Sequence, residues 1–497
     1  MITRELMAPL MFGGLVVFML IGYPVAFSLA AVGLFFGFIG IELGFFQFAL
    51  LQALPERVFG ILSNELLLAI PFFTFMGAIL ERCGLAEDLL EGMGQLFGPV
   101  RGGLAYAVIV VGAILGAITG TVAASVIAMG LISLSVMMRY GYDMRLATGV
   151  IAASGTITQL IPPSLVLVIL ADQLGRSVGD MYAGAIGPSI VQVLLFCVYV
   201  AVLSIIRPKA MPALPAEART LRGTALLAKV MWGMVPSLVL IFLVLGTIFL
   251  GLATPTEAGA MGAVGALALA AMHRRLTWPL LHQGLATTMR ITAMVIYILI
   301  GSTVFSLVFR GVDGDLWLEG LLTSLPGGVV GFLIVVNLFV FFLAFFLDFF
   351  EIAFIIIPLL APVAQKLGID LIWFGVLLGA NMQTSFMHPP FGLALFYLRG
   401  IAPKEVKSSD IYWGAVPWVG LQVMLVAILI YWPGLVTDFV PRHESIDPAK
   451  VDIQLEEPER GTAGEPTASG ETPAAQSGAS QEDDAASDIQ RQFKSGR

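Results

Sequence analysis

Ser154-Gly-Thr-Ile-Thr-Gln-Leu-Ile-Pro-Pro-Ser164 interrupts one apolar region, and Asn381-Met-Gln-Thr-Ser-Phe-Met-His-Pro-Pro390 interrupts another, 227 positions later. Each pairs small hydroxyl side chains with two consecutive prolines. Such prolines remove two backbone donors, and the carbonyls freed inside a membrane need other partners. A bound cation can be that partner. Thr156, Thr158, Thr384 and Ser385 add hydroxyl oxygens close by, giving the oxygen-rich, thiol-free set that suits a hard alkali cation. The competing reading is a proline kink repaired by those same hydroxyls. Two breaks in register weigh against it.

Working outward, the rest of the chain repeats around these segments. Gly141-Tyr-Asp143 recurs as Gly368-Ile-Asp370, and Tyr182-Ala-Gly-Ala-Ile186 as Tyr412-Trp-Gly-Ala-Val416. Gly22-Tyr-Pro24, read as part of a first long helix, is mirrored by Ala253-Thr-Pro255, 231 positions on. The repeats therefore cover residues 7–206 and 230–433, with a basic connector, 207–229, between them. Of the 497 residues 58% are hydrophobic and 12% charged, and the mean hydropathy is +0.93. An ordinary soluble domain has about 25% charged residues, so a water-soluble core is excluded. The first 441 residues hold 22 acids and 20 bases, whereas residues 442–497 hold 12 acids and 6 bases. That balance gives nucleic-acid binding no support. From 441 to 497 Gly, Ala, Ser, Pro, Thr and acids dominate, which predicts a disordered acidic tail.

Apolar runs long enough to span a bilayer are Leu10–Leu43, Leu66–Leu80, Leu104–Ala117, Met181–Ile206, Val230–Leu250, Ala258–Met272, Ile291–Phe309, Val329–Phe346 and Tyr412–Val436. The first reads as a retained span, not a cleaved signal. Basic short loops stay in the cytoplasm, which puts the connector and Arg274-Arg275 inside and, for inverted repeats, both termini in the periplasm. Inverted repeats with matched Gly- and Pro-broken segments point to a secondary transporter whose site lies near the bilayer midplane.

A second pair of interruptions reads as re-entrant hairpins: Gly116-Ala-Ile-Thr-Gly-Thr-Val-Ala-Ala-Ser125 in the first half, Leu347-Asp348-Phe-Phe-Glu351 in the second. Asp348 is either an ion ligand or, with Glu351 three residues later, a helix cap; Glu351 reads as structural. Thr254-Pro-Thr-Glu257 reads as a capping box that starts a scaffold helix. His388 is expected to donate to a neighbouring carbonyl, the other option being titration during transport. The Phe332–Phe350 run reads as lipid-facing or packing surface. Cys83 and Cys197 read as buried free thiols, with no disulfide or structural metal implied.

Several of these motifs together resemble the large membrane subunit of tripartite ATP-independent periplasmic (TRAP) transporters, of the DctM type. They are Gly22-Tyr-Pro-Val-Ala-Phe27, Ala69-Ile-Pro-Phe-Phe73, Thr119-Gly-Thr121, Ile161-Pro-Pro-Ser164, Thr254-Pro-Thr-Glu-Ala258, Leu347-Asp348 and Asn381 through Pro390. The resemblance implies an all-α, polytopic, elevator-type fold in the bacterial inner membrane. Two hairpins and two broken helices would form a moving domain held by a scaffold. It also implies sodium-coupled uptake of small organic acids, C4-dicarboxylates or 2-oxo monocarboxylates, delivered by a periplasmic substrate-binding protein. A separate small four-helix membrane subunit is the expected partner. By motif position, one sodium site would use Thr119, Gly120, Thr121, Thr158, Gln159 and Pro162. The other would use Asp348, Met382, Ser385, Met387 and Pro389. Ser125, Ser164, Thr384 and His388 are the candidate substrate contacts. Two departures stand out: Gln159 where the family often has a small or aliphatic residue, and His388 where it often has Thr.

A membrane enzyme is the rival class, but the chain lacks HExxH, GxSxG and GxxxxGK[ST] signatures, so no catalysis and no cofactor other than the coupling Na+ is expected. The closer rival is a carboxylate symporter or ion antiporter that works without a binding protein.

Overall fold

The computed structural model describes residues 3–120 and 122–441, without the side chains of Leu20 and Thr119. The acidic tail lies, except for Pro441, outside the described residues. Among those residues there are helices and turns and no strand.

The helices are α1 (Arg4–Ile21), α2 (Val25–Glu42), α3 (Leu54–Leu62), α4 (Ala69–Arg82), α5 (Leu85–Phe97), α6 (Gly103–Thr119), α7 (Val122–Arg139), α8 (Met144–Thr156), α9 (Leu165–Gln173) and α10 (Val178–Ile206). The second half supplies α11 (Gly223–Phe249), α12 (Pro255–Met272), α13 (Trp278–Gly311), α14 (Gly314–Thr323), α15 (Gly328–Leu343), α16 (Phe349–Lys366), α17 (Leu371–Met382), α18 (Leu393–Ile401) and α19 (Ser408–Tyr431). Among the described residues seven helices are long and apolar enough to cross a membrane, or nine if the bent pairs Phe48–Leu62 with Glu65–Arg82 and α14 with α15 each count as one span.

The inside of the molecule is built from the broken helices. In α8 every residue from Ala147 to Thr156 is buried, and so is all of α17. Outside them α2, α10 and α11 present apolar side chains outward, among them Phe35, Val198 and Phe242. A soluble protein avoids such a surface; hydrocarbon accepts it, because helices satisfy their own backbone groups.

The halves interlock. α10 packs on α17 and α19 on α8, while α2 packs on α13 and α12 on α4. Glycine permits the closest of these approaches. A Cβ on Gly301 would sit 2.3 Å from the carbonyl oxygen of Ala26, and one on Gly149 would sit 2.3 Å from that of Gly414.

Several predicted boundaries change. Leu10–Leu43 is not one span: Gly22 adopts φ +88°, its amide closes α1 on the Met19 carbonyl, and Pro24 precedes a new helix. Glycine takes that left-handed conformation without steric cost, so the motif breaks the helix it was read into. The connector is shorter than 207–229, since α11 begins at Gly223 and Lys229 bonds Asp88 on α5 at 2.8 Å. Its earlier part is pinned, with Asp143 N donating to Ala210 O and Gly102 N to Met211 O, each at 3.0 Å. α13 runs for 34 residues and starts well before the predicted Ile291, because Thr277 caps it and the stretch up to Ile291, though interrupted by His282, Gln283, Thr287, Thr288 and Arg290, stays helical. Tyr412–Val436 is also divided, as α19 ends at Tyr431 and Gly434–Thr437 forms a separate turn.

Candidate functional site

Each broken helix starts on an aspartate. Asp143 Oδ1 accepts the amides of Arg145 and Leu146 at 2.9 and 3.4 Å, and Asp370 Oδ1 accepts those of Ile372 and Trp373, both at 2.8 Å. These N-caps are the landmarks of the sequence repeat seen as hydrogen bonds. Both helices then loosen: α8 passes into a 3-10 turn at Ile157–Gln159, α17 into one at Gln383–Met387. The Pro162–Pro163 and Pro389–Pro390 peptides, both cis, follow.

The prolines withdraw the amides that a continuing helix would offer to the carbonyls of Thr158, Gln159, Ser385 and Phe386. In the first half Ser164 Oγ takes over one of these, donating to Gln159 O at 2.6 Å while accepting the Val166 amide at 3.2 Å. In the second half Phe391 stands in that place and carries no hydroxyl. The remaining hydroxyls donate backward: Thr156 to Ala153 O at 2.8 Å, Thr158 to Gly155 O at 3.1 Å, Thr384 to Asn381 O and Ser385 to Met382 O at 2.7 Å each. Their protons are thereby committed, and their oxygens keep lone pairs.

The first hairpin turns at Gly120, φ +61°. Gly116, one turn earlier, lies so close to the first break that a Cβ there would be 3.0 Å from Thr158 Cα. Thr121 lies outside the described residues. The second hairpin turns at Asp348, which makes a complete capping box with Glu351: Asp348 Oδ1 accepts the Glu351 amide at 3.2 Å, and Glu351 Oε2 accepts the Asp348 amide at 3.1 Å. The cap reading of Asp348 is thus realised, as is the structural reading of Glu351. Thr254 and Glu257 form the expected box at the start of α12.

One cavity of about 260 Å³ joins these parts. Gly120 comes from the first hairpin tip, Asp348 and Phe350 from the second, Gln159 from the first break, Phe386 from the second, and Ile291 with Met294 from α13. Leu165 and Leu393, the first residues of α9 and α18, also line it, so two helix N-termini with their partial positive charge face the same space. No Lys, Arg or His is among its lining residues.

Of the sequence-predicted site residues, Gly120, Gln159 and Asp348 meet here. Pro162 faces a separate apolar groove beside Ile186 and Leu245. Met382 ends α17, Ser385 and Met387 lie within the 3-10 turn of the second break and Pro389 just after it, none of them lining the cavity, and the Met387 sulfur lies 3.7 Å from Thr156 Oγ1. Ser125, Ser164, Thr384 and His388 are buried and do not line the cavity. The expected His388 hydrogen bond is not made. The Ala344 backbone lies within electrostatic reach, but neither ring nitrogen meets hydrogen-bond geometry, and the imidazole sits between Phe345 and Phe341 at 4.1 and 4.4 Å. The phenylalanine run therefore divides: Phe332 is in the core, Phe341 and Phe345 hold His388, and Phe342 and Phe346 face outward. Phe386 and Tyr397 are cavity residues that sequence reasoning missed. For Tyr397 a signal existed, as the single hydroxyl between Leu393 and Leu398 just beyond a broken segment.

A half-open cavity lined by two hairpin tips, two helix breaks and a long outer helix is the arrangement expected of a multi-pass membrane transport protein. Residues 12–435 match the family described as the tripartite ATP-independent periplasmic transporter, DctM component, and the chain belongs to that family. As such it is a secondary-transport permease subunit of the bacterial inner membrane. It is 29% identical to the C4-dicarboxylate TRAP transporter large permease protein DctM of Pseudomonas aeruginosa, over 77% of this chain and 88% of that one. It is 28% identical to the sialic acid TRAP transporter large permease protein SiaM of Vibrio cholerae, over 83% and 93%. The crystal structure of the Alcanivorax borkumensis YdaH transporter shares the fold, with a TM-score of 0.57 and 15% identity over 79% of this chain and 90% of that one.

Proposed function

We propose that this subunit carries small organic acids, C4-dicarboxylates or 2-oxo monocarboxylates, into the cell by sodium-coupled symport. A periplasmic binding protein would deliver the acid, and a small four-helix membrane subunit would complete the scaffold. The observation that carries this reading is a cavity to which both hairpin tips and both helix breaks contribute. Relatives whose names specify C4-dicarboxylate and sialic acid support an acidic substrate.

The electrostatics of the cavity favour coupling. An acid entering it meets two helix N-termini, which attract it, and the Asp348 carboxylate, which repels it. A sodium ion held by Asp348 with Met382, Ser385, Met387 and Pro389 would cancel that repulsion. A second, between Thr119–Thr121 and Thr158–Pro162, would use the carbonyls that the first Pro-Pro pair frees. Ion and acid would then each raise the other's affinity, which is what symport requires. Ser125, Ser164, Thr384 and His388 would have to approach the substrate in another state of the transport cycle.

Measuring uptake of C4-dicarboxylates and 2-oxo acids in vesicles with and without sodium, and with and without the binding protein, tests the reading. Uptake that ignores sodium removes the coupling. Uptake independent of the binding protein favours the simpler symporter instead.

A further inference from the structure

Gln192 of α10 and Gln422 of α19 occupy equivalent places in the two halves, separated by the same 230 positions as Tyr182 and Tyr412. Each reaches into the other half. Gln192 Nε2 donates to Gln383 Oε1 at 2.6 Å, and Gln422 Nε2 donates to Thr156 Oγ1 at 2.9 Å. The acceptors correspond as well, since Gln383 follows Thr156 by the 227 positions that separate the two Pro-Pro pairs. All four side chains are fully buried.

The close approaches at two glycines on the same helices repeat the exchange. A Cβ on Gly414 would lie 2.3 Å from Arg145 O, and one on its counterpart Gly184 would lie 3.1 Å from Ile372 Cγ2. Arg145 and Ile372 are themselves counterparts. The same crossing is thus made twice with the halves interchanged, as a two-fold relation demands.

As packing, these amides are a poor choice. Gln192 Oε1, Gln383 Nε2 and Gln422 Oε1 have no hydrogen-bond partner, and an unpaired polar atom in the interior destabilises a fold. What the amides do reach is the place where each helix gives way: Thr156 is the last residue of α8, and Gln383 opens the 3-10 turn after α17.

We propose that the two crossed amide pairs are positioning residues of the transport cycle. Each clamps the start of one half's break to the long final helix of the other half. The two breaks are thereby held at a fixed spacing and travel as one body, which keeps the carbonyls around Pro162 and Pro389 in register. This rests on the sodium reading only for the choice of ion to titrate.

The test uses the subunit reconstituted in vesicles with its small partner and loaded binding protein. Gln192→Met/Gln383→Met removes both partners of one pair, and Gln422→Met opens the other. Melting temperatures should stay level or rise, because unpaired amide atoms are lost, while the maximal uptake rate falls roughly fivefold and half-saturating sodium rises. Gln383→Thr recreates, at the equivalent position, the amide-to-hydroxyl pair of Gln422 with Thr156; it should recover most of the uptake that Gln383→Met loses. Uptake unchanged in the Met variants, uptake falling only in step with melting temperature, or no recovery with Gln383→Thr would overturn the proposal. Should wild-type uptake ignore sodium, the ion reading fails on its own, and the clamp stands or falls on the rates and melting temperatures.

Discussion

A cap needs an oxygen at Asp348, whereas an ion site needs a charge there, and asparagine separates the two. Asp348→Asn keeps the acceptor that holds the Glu351 amide, since Asn caps about as well as Asp. A carboxylate beside a cation in a site shielded from water contributes on the order of a few kcal/mol. Half-saturating sodium should therefore rise roughly tenfold or more in Asp348→Asn, with folding preserved. Asp348→Ala should add a stability loss of about 1 kcal/mol, read as a lower melting temperature in detergent. Equal sodium dependence in wild type and Asp348→Asn would confine Asp348 to capping. Thr254→Ala is the matched control: it removes the Thr254–Glu257 box for a similar loss of about 1 kcal/mol, and its half-saturating sodium should not move.

The elements were legible where a local chemical signal coincided with a change of backbone. Gly120, the Pro-Pro pairs, and Asp143 with Asp370 each mark a real turn, break or cap, because the residue type alone forces the local geometry. Gly22 was misread because its neighbours are apolar on both sides, and hydropathy cannot see a left-handed residue. The early turns of α13 were lost for the opposite reason, as His282, Gln283, Thr287, Thr288 and Arg290 interrupt the apolar pattern while the helix continues. Of the site, the hairpin tips and breaks were readable, but not the cavity between them. Phe386 and Tyr397 of the second half meet Gly120 and Gln159 of the first only through packing between halves. That packing makes its own prediction. Gly149→Ala would place a methyl 2.3 Å from the Gly414 carbonyl and should destabilise by about 1–3 kcal/mol. Gly13→Ala, with nothing within 4 Å of the new Cβ, should be neutral or gain up to about 1 kcal/mol in helix propensity. Melting curves of the two variants compare them directly.

At the scale of the whole molecule, the proposed orientation and energy coupling each have a direct test. With Cys83 and Cys197 replaced by alanine, a single cysteine at exposed Lys209 should react with an impermeant thiol reagent only from the cytoplasmic side, and one in the tail only from the periplasmic side. Labelling of the tail from the cytoplasm would contradict inverted repeats. On the proposed reading, an outside-to-inside sodium gradient is the driving force. The most direct test is uptake of binding-protein-delivered acid into vesicles that contain this chain and its small partner, without ATP. The account predicts accumulation when sodium is higher outside, collapse when the gradient is dissipated, and none when the small subunit or the binding protein is left out. Accumulation that persists undiminished in sodium-free buffer would contradict it.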